Sequence, residues 1–167
     1  MTPREQVLRA LEEMGICCEL CEHAPVQSIA DCAIAEEKLH ALMPRNVFLC
    51  TSNQKHLALL LCRPGAVFRT GSISKQAGLS RLSFAPPQML KTYLGAYPGC
   101  VSPLGLIFDR GRAVKLLMDE TLLTEESLLF HPLDSGCSVK IRTNDLINVF
   151  LRHLGYDICR VRMENIE

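Results

Sequence analysis

Two apolar runs, Asn46 to Thr51 and Leu57 to Cys62, flank the polar tetrapeptide Ser52-Asn53-Gln54-Lys55. Short runs of this kind around a polar turn read as paired strands, so a β-hairpin is predicted here. The fold therefore contains a sheet, and the segments on either side of the hairpin decide its class.

Upstream, Thr2-Pro3-Arg4-Glu5 has the pattern of a capping box with proline at the first helical position. Val7, Leu8, Leu11 and Met14 then form an apolar stripe at helical spacing, and Gly15 supplies the stop. Ile16 to Leu20 is predicted as a strand, Glu22-His23-Ala24-Pro25 as a turn, and Ser28 as the cap of a helix running to about Leu39. Downstream, Pro64-Gly65-Ala66 breaks the chain, and a short helix around Ser74 to Ala77 stops at Gly78. Leu82-Ser83-Phe84 reads as a brief strand, and Pro86-Pro87 opens a helix to about Leu94. A loop rich in glycine and proline follows, from Gly95 through Pro103. Leu104 to Phe108 and Ala113 to Met118 flank Asp109-Arg110-Gly111-Arg112, which predicts a second hairpin. Leu128 to Phe130 and Cys137 to Arg142 are further strands. Thr143-Asn144-Asp145 starts a last helix ended by Gly155, ahead of a strand at Ile158 to Val161.

Strands outnumber helices, and hairpins mix with single helical crossovers. The expected class is α+β (α/β mixed), with a curved, largely antiparallel mixed sheet flanked by helices. With 167 residues and no repeat, low-complexity tract or linker, residues 1–167 read as a single domain. A chain of this length buries roughly 70% of the surface its unfolded form exposes, so it needs no covalent staples. A hydrophobic share of 48% against 22% charged excludes intrinsic disorder. No apolar run approaches the ~20 residues of a membrane span, and the N-terminus lacks a signal-peptide core, so no membrane partner is expected. Aromatics are few and tryptophan is absent, which excludes a broad aromatic platform for nucleic acid.

The net charge of +0 conceals an uneven distribution. No acidic residue occurs between Glu37 and Asp109, an interval that holds Lys38, Arg45, Lys55, Arg63, Arg69, Lys75, Arg81 and Lys91. The acids are confined to the two ends. Either the fold interleaves middle and ends, or the middle presents an electropositive face to a polyanion such as nucleic acid or a phosphorylated ligand.

Nine cysteines, an odd number at irregular spacing, suit reduced thiols used as small hydrophobes in a cytoplasmic protein. Cys18-x-x-Cys21 has metal-ligand spacing, but no second closely spaced pair accompanies it, so no metal is expected. No cysteine-hydrolase signature surrounds any of the nine, and no glycine-rich phosphate loop occurs. Two loops carry more chemistry. Gly99-Cys100-Val101-Ser102-Pro103 lets a ligand approach the backbone, whose N–H groups suit an oxyanion. Phe130-His131-Pro132 sets a histidine at a strand end beside a proline that fixes the chain. Taken alone, the first is also an ordinary strand-entry turn and the second a hydrogen-bonded structural histidine.

Glu22-His23-Ala24-Pro25-Val26, Asn46-Val47-Phe48-Leu49, Arg81-Leu82-Ser83-Phe84-Ala85, Gly99 to Gly105 and Phe130-His131-Pro132-Leu133 together carry a resemblance that covers nearly the whole chain. The chain resembles the YbaK/prolyl-tRNA-associated domain family of trans-editing aminoacyl-tRNA deacylases, and within it the freestanding deacylases of Ala-tRNA(Pro). The resemblance implies an α/β domain that hydrolyses the ester joining a wrong amino acid to the tRNA 3′ end. Water attacks with the help of a terminal ribose hydroxyl, without a covalent side-chain nucleophile and without a cofactor. It assigns the reaction to Arg45, Gly99, Ser102, Pro103 and His131, and substrate contacts to Asn46, Cys100, Val101, Gly105, Phe130 and His23. The implied partners are the tRNA 3′ acceptor end and prolyl-tRNA synthetase. Family members carry a lysine where this chain has Arg45, and a planar guanidinium is not a compact ammonium. The alternatives that follow are a non-catalytic sensor of aminoacyl-tRNA or amino acid, and a deacylase for another error such as Cys-tRNA(Pro).

Overall fold

The computed structural model describes residues 1–165. The first helix, α1 (Pro3–Glu13), begins where the sequence places it. Glu5 N donates to Thr2 Oγ1 at 3.1 Å and Thr2 N to the Glu5 carboxylate at 2.9 Å, satisfying donors that a helix start leaves free. Val7 and Leu11 bury its apolar stripe.

Strand β1 is Glu19–Glu22 rather than Ile16 to Leu20. Ile16 is instead buried against the core, and pairing with a later strand selects the residues that follow it. Ser28 stands before a 3-10 turn, Ile29–Cys32, that leads into α2 (Ala33–Leu39).

The predicted hairpin is β2 (Arg45–Thr51) with β3 (Leu57–Cys62), in register from Arg45 opposite Cys62 to Cys50 opposite Leu57. Asn53 closes the turn, its Oδ1 accepting from Thr51 Oγ1 at 2.7 Å and Lys55 N at 3.0 Å. Alternation along β3 sends Leu57, Leu59 and Leu61 into the larger core and Ala58, Leu60 and Cys62 into a second one. Burial on both faces makes each of these leucines worth roughly 2 to 3 kcal/mol.

Beyond the hairpin come β4 (Ala66–Val67), α3 (Thr70–Ala77), β5 (Leu82–Phe84) and α4 (Pro87–Leu94). The chain continues through β6 (Val114–Asp119), β7 (Ser127–Phe130) and β8 (Cys137–Arg142). The last helix runs as α-helix Thr143–Asp145, π-helix Leu146–Leu151 and α-helix Arg152–Leu154, ahead of β9 (Ile158–Val161) and β10 (Glu164–Asn165). The main sheet has the order β5-β2-β3-β6-β9, with β5-β2 and β2-β3 antiparallel and β3-β6 and β6-β9 parallel. Strands β1-β8-β7 form an antiparallel sheet, and β10 pairs with β4. The mixed α+β organisation read from the sequence is the one observed, divided among three sheets instead of one.

The second predicted hairpin does not form. Pro103–Phe108 is a 3-10 helix, capped by Ser102 Oγ accepting from Leu104 N at 3.1 Å. It packs on α4 so closely that a Cβ at Gly105 would collide with the carbonyl oxygen of Leu94. Asp109 ends this helix: its carboxylate accepts from Ala113 N at 3.0 Å, Val114 N at 2.9 Å and Tyr156 Oη at 2.7 Å. Strand β6 is thereby delivered to β3 and β9 with no partner before it.

One contact positions the functional region. Leu42 bridges Leu128, with Leu129 N donating to Leu42 O at 2.9 Å, so the segment entering β2 lies beside β7. The chain ends and the acid-free middle also meet. Arg63 pairs with Glu125 at 2.9 Å and Arg69 with Glu164 at 2.9 Å, whereas Arg45 and Arg81 form no ion pair among the described residues.

Candidate active site

A cavity of about 260 Å³ opens between these elements, lined by Val26, Gln27, Ser28, Cys32, Met43, Pro44, Arg45, Asn46, Gly99, Val101 and His131. Five residues singled out in the sequence thus share one cavity: Arg45, Asn46, Gly99, Val101 and His131. They come from the head of β2, the loop after α4 and the end of β7. The remaining lining residues carry no motif of their own, except Val26, which closes the Glu22–Val26 segment.

Each wall is held by identifiable bonds. Val26 N donates to Ser135 O at 3.1 Å and His23 N to Gly136 O at 3.0 Å, tying the loop after β1 to the turn after His131. The Asp31 carboxylate accepts from Gln27 N at 3.0 Å and Ser28 N at 3.1 Å, and the Gln27 bond chiefly holds its pKa below the usual carboxylate range. Tyr97 and Cys100 close the turn ahead of Val101, with Cys100 N donating to Tyr97 O at 3.1 Å and the buried Cys100 thiol at 3.4 Å from the same oxygen. Gly99 takes φ 101, open to glycine and strained for any other residue.

His131 is buried, and its Nδ1 lies 2.8 Å from Cys137 O. A carbonyl only accepts, so Nδ1 carries the proton and Nε2 keeps a lone pair. Burial holds the His131 pKa below the ordinary imidazole value. The His23 ring stands 6.0 Å away, edge-on, and its Nε2 lies 2.7 Å from Ser138 Oγ. Asn46 Nδ2 donates to Pro44 O at 3.2 Å, while its Oδ1 is buried without a hydrogen-bond partner.

The other sequence-derived candidates stand behind the wall. Cys100, Ser102, Pro103, Gly105 and Phe130 are all buried. Ser102 caps the 3-10 helix, Gly105 packs on Leu94, Phe130 fills the larger core, and Cys100 braces the turn. His23 supports His131 from one side.

The cavity offers a cation at Arg45, a neutral imidazole acceptor and a glycine-bearing backbone strip. Cys32 is its only thiol among the described residues, and burial, with Glu36 and Asp31 nearby, pushes its pKa up. A protonated thiol is a poor nucleophile. No group of three or more His, Cys, Asp or Glu side chains is placed to hold a metal among the described residues. No described helix is long and apolar enough to cross a membrane.

Residues 23–149 match the aminoacyl-tRNA editing domain family. Over 146 residues the chain is 26% identical to the prolyl-tRNA editing protein ProX of Acetoanaerobium sticklandii, covering 87% of this chain and 89% of that protein. It is 25% identical over 147 residues to prolyl-tRNA synthetase associated domain-containing protein 1 of Danio rerio, covering 86% and 79%. A solved structure of a candidate trans-editing enzyme for prolyl-tRNA synthetase shares the fold, with a TM-score of 0.72 at 16% identity over 99% of each chain.

Proposed function

The chain belongs to the aminoacyl-tRNA editing domain family, and from that premise we propose that it deacylates mischarged tRNA in trans, with Ala-tRNA(Pro) as its substrate. The observation that carries this reading is the convergence of Arg45, Asn46, Gly99, Val101 and His131 on one small cavity. The terminal adenosine enters past Arg45, whose charge meets the phosphate of the 3′ end. The aminoacyl ester lies along Gly99 to Val101, where the Gly99 and Val101 N–H groups serve the carbonyl, the Cys100 N–H being taken by Tyr97 O. Water adds to that carbonyl, the bond to the ribose oxygen breaks, and the ribose oxygen takes the proton, leaving free amino acid and intact tRNA. His131 Nε2 accepts a hydrogen bond from the attacking water or the neighbouring ribose hydroxyl. With the Cys32 thiol held protonated, no covalent enzyme intermediate is needed.

Specificity follows from size. A close-packed apolar pocket admits a small side chain and penalises a larger one by overpacking. Cysteine is also a small side chain, and Cys-tRNA(Pro) is the alternative substrate. The second reading, a non-catalytic sensor of charged tRNA, rests on Arg45: a guanidinium keeps the phosphate contact but sets it by a larger planar fork. In both, the partner is the tRNA 3′ acceptor end, with prolyl-tRNA synthetase as the source of the error and the cytoplasm as the place of action.

The test is hydrolysis of Ala-, Cys- and Ser-tRNA(Pro), with Pro-tRNA(Pro) as control, by wild type and Arg45→Lys. Rapid loss of Ala-tRNA(Pro) with Pro-tRNA(Pro) spared is expected. A silent wild type revived by lysine would favour the sensor, and loss of Pro-tRNA(Pro) at the same rate would overturn the editing reading.

A further inference from the structure

The motif Arg81 to Ala85 has no part in the cavity, yet it holds a large exposed apolar side chain. Phe84 is 61% exposed at the end of β5, the outer strand of the main sheet. It is not isolated: the half-buried Phe68 ring lies 5.6 Å away at an interplanar angle of 46°. Phe84 is opposite Leu49, and Arg45 is opposite Cys62; Leu49 and Cys62 both belong to the second core. Directly opposed residues share a face, so Phe84 and Arg45 stand on the same face of the sheet. Arg45 and Leu49, the residue opposite Phe84, are four steps apart along β2, about 13 Å at the rise of a strand.

The stretch of chain that holds this pair carries only basic charge. Phe68 and Phe84 both lie in the interval without acidic residues, and Arg81 is exposed at the head of β5 with no ion-pair partner among the described residues. Glu164, which β10 brings opposite Val67, is engaged by Arg69 at 2.9 Å. An exposed aromatic pair with Arg45 on its face and Arg81 at the head of its strand, neither in an ion pair among the described residues, matches a strand of bases joined by phosphates. Stacking needs only a π-face and tolerates any base, while the cations track the backbone. Two phenylalanines are too few for a long platform and enough for one base.

We propose that Phe84, backed by Phe68, is a stacking platform for one base of the single-stranded tRNA 3′ tail, which runs from Arg81 past Phe84 to Arg45 as its terminal residue enters the cavity. The assignment rests on the editing reading for its direction and on the Phe84–Phe68 pair for its substance.

The decisive measurement is binding, which does not depend on turnover. A fluorescently labelled single-stranded RNA ending in CCA is titrated with wild type, Phe84→Ala, Phe84→Trp and Arg81→Gln. Because Phe84 is exposed, its alanine variant is expected to fold, and circular dichroism checks this. Phe84→Ala should weaken binding by about tenfold, the loss of one stacked base, while Phe84→Trp binds at least as well as wild type. Arg81→Gln should flatten the salt dependence. Unchanged binding by Phe84→Ala, or no binding of the RNA by wild type, overturns the platform. Deacylation of Ala-tRNA(Pro) is followed in parallel: an inactive wild type that still loses RNA affinity with Phe84→Ala would sink the deacylase reading and leave the platform standing.

Discussion

His131 Nδ1 lies 2.8 Å from the carbonyl oxygen of Cys137, six residues later on the neighbouring strand. The bond fixes one tautomer, and burial lowers the pKa, with the bond to Cys137 opposing that shift and His23 adding to it. An unfolded histidine titrates near pH 6.5. Below about that pH the unfolded chain gains a proton that native His131 refuses, so stability falls as pH drops; above it this group contributes no pH dependence. Urea unfolding between pH 5 and 8 should show this decline in wild type and a weaker one in His131→Gln. An identical slope in the two proteins would mean that His131 is not held neutral.

Arg4 joins three segments. Its guanidinium donates to Glu22 at 2.6 Å and to Asp134 at 3.0 Å, and Asp134 in turn accepts from Gly136 N at 2.8 Å. The bond from Gly136 N is the main reason the Asp134 pKa is low, with Arg4 adding to it. The native carboxylate therefore contributes stability above about pH 4, its unfolded value, and loses it as pH falls through the lower native one. Because the ion pairs are partly exposed, Asp134→Asn should cost only about 1 kcal/mol. The turn from His131 to Cys137 should loosen, so turnover should fall further than stability. Arg4→Met should behave alike, and the double variant should cost less than the two losses combined. Strict additivity in chemical denaturation would show that Arg4 and Asp134 act separately.

The sequence made the local devices visible and left the tertiary ones hidden. The Thr2 capping box, the Ser52–Lys55 turn and the glycine stop at Gly155 are written within a few residues, and each occurs where expected. The run Pro103 to Phe108 shows the limit, since a short apolar run fits a buried strand or a buried helix equally well. What decides it is Gly105 lying against Leu94 and Asp109 gathering three donors, contacts that no local pattern announces. The cavity divides the same way. Arg45, Gly99 and His131 stand in recognisable segments, whereas Cys32, Met43 and Pro44 join them through the pairing of Leu42 with Leu128, invisible before the chain is folded.

The contact at Gly105 gives a sharp stability prediction. A Cβ there meets the Leu94 carbonyl oxygen, which is backbone and cannot turn aside as a side chain would. Gly105→Ala must therefore push the 3-10 helix off α4, at a cost of about 2 to 3 kcal/mol. Gly111, with nothing near its Cβ direction, is the control, and its alanine variant should stay within about 0.5 kcal/mol of wild type. Thermal unfolding of the two variants side by side checks the contrast. Equal melting temperatures would mean that the helix has room the structure denies.

The unpartnered oxygen of Asn46 separates stability from function. Turning the amide over would set Oδ1 against Pro44 O, so the bond from Nδ2 fixes the side chain with its oxygen unused. A buried acceptor left unpaired costs about 1 to 3 kcal/mol. Native proteins retain such a group where a ligand or reaction needs it, and Asn46 lines the cavity. Asn46→Leu removes the unpaired oxygen, so its stability should equal or exceed wild type by about 1 kcal/mol while deacylation falls. Asn46→Asp sets a carboxylate in the same place and should lose both. Melting temperature and turnover, measured on the same preparations, decide the matter. If leucine destabilises the protein and spares turnover, Oδ1 serves the fold and not the substrate.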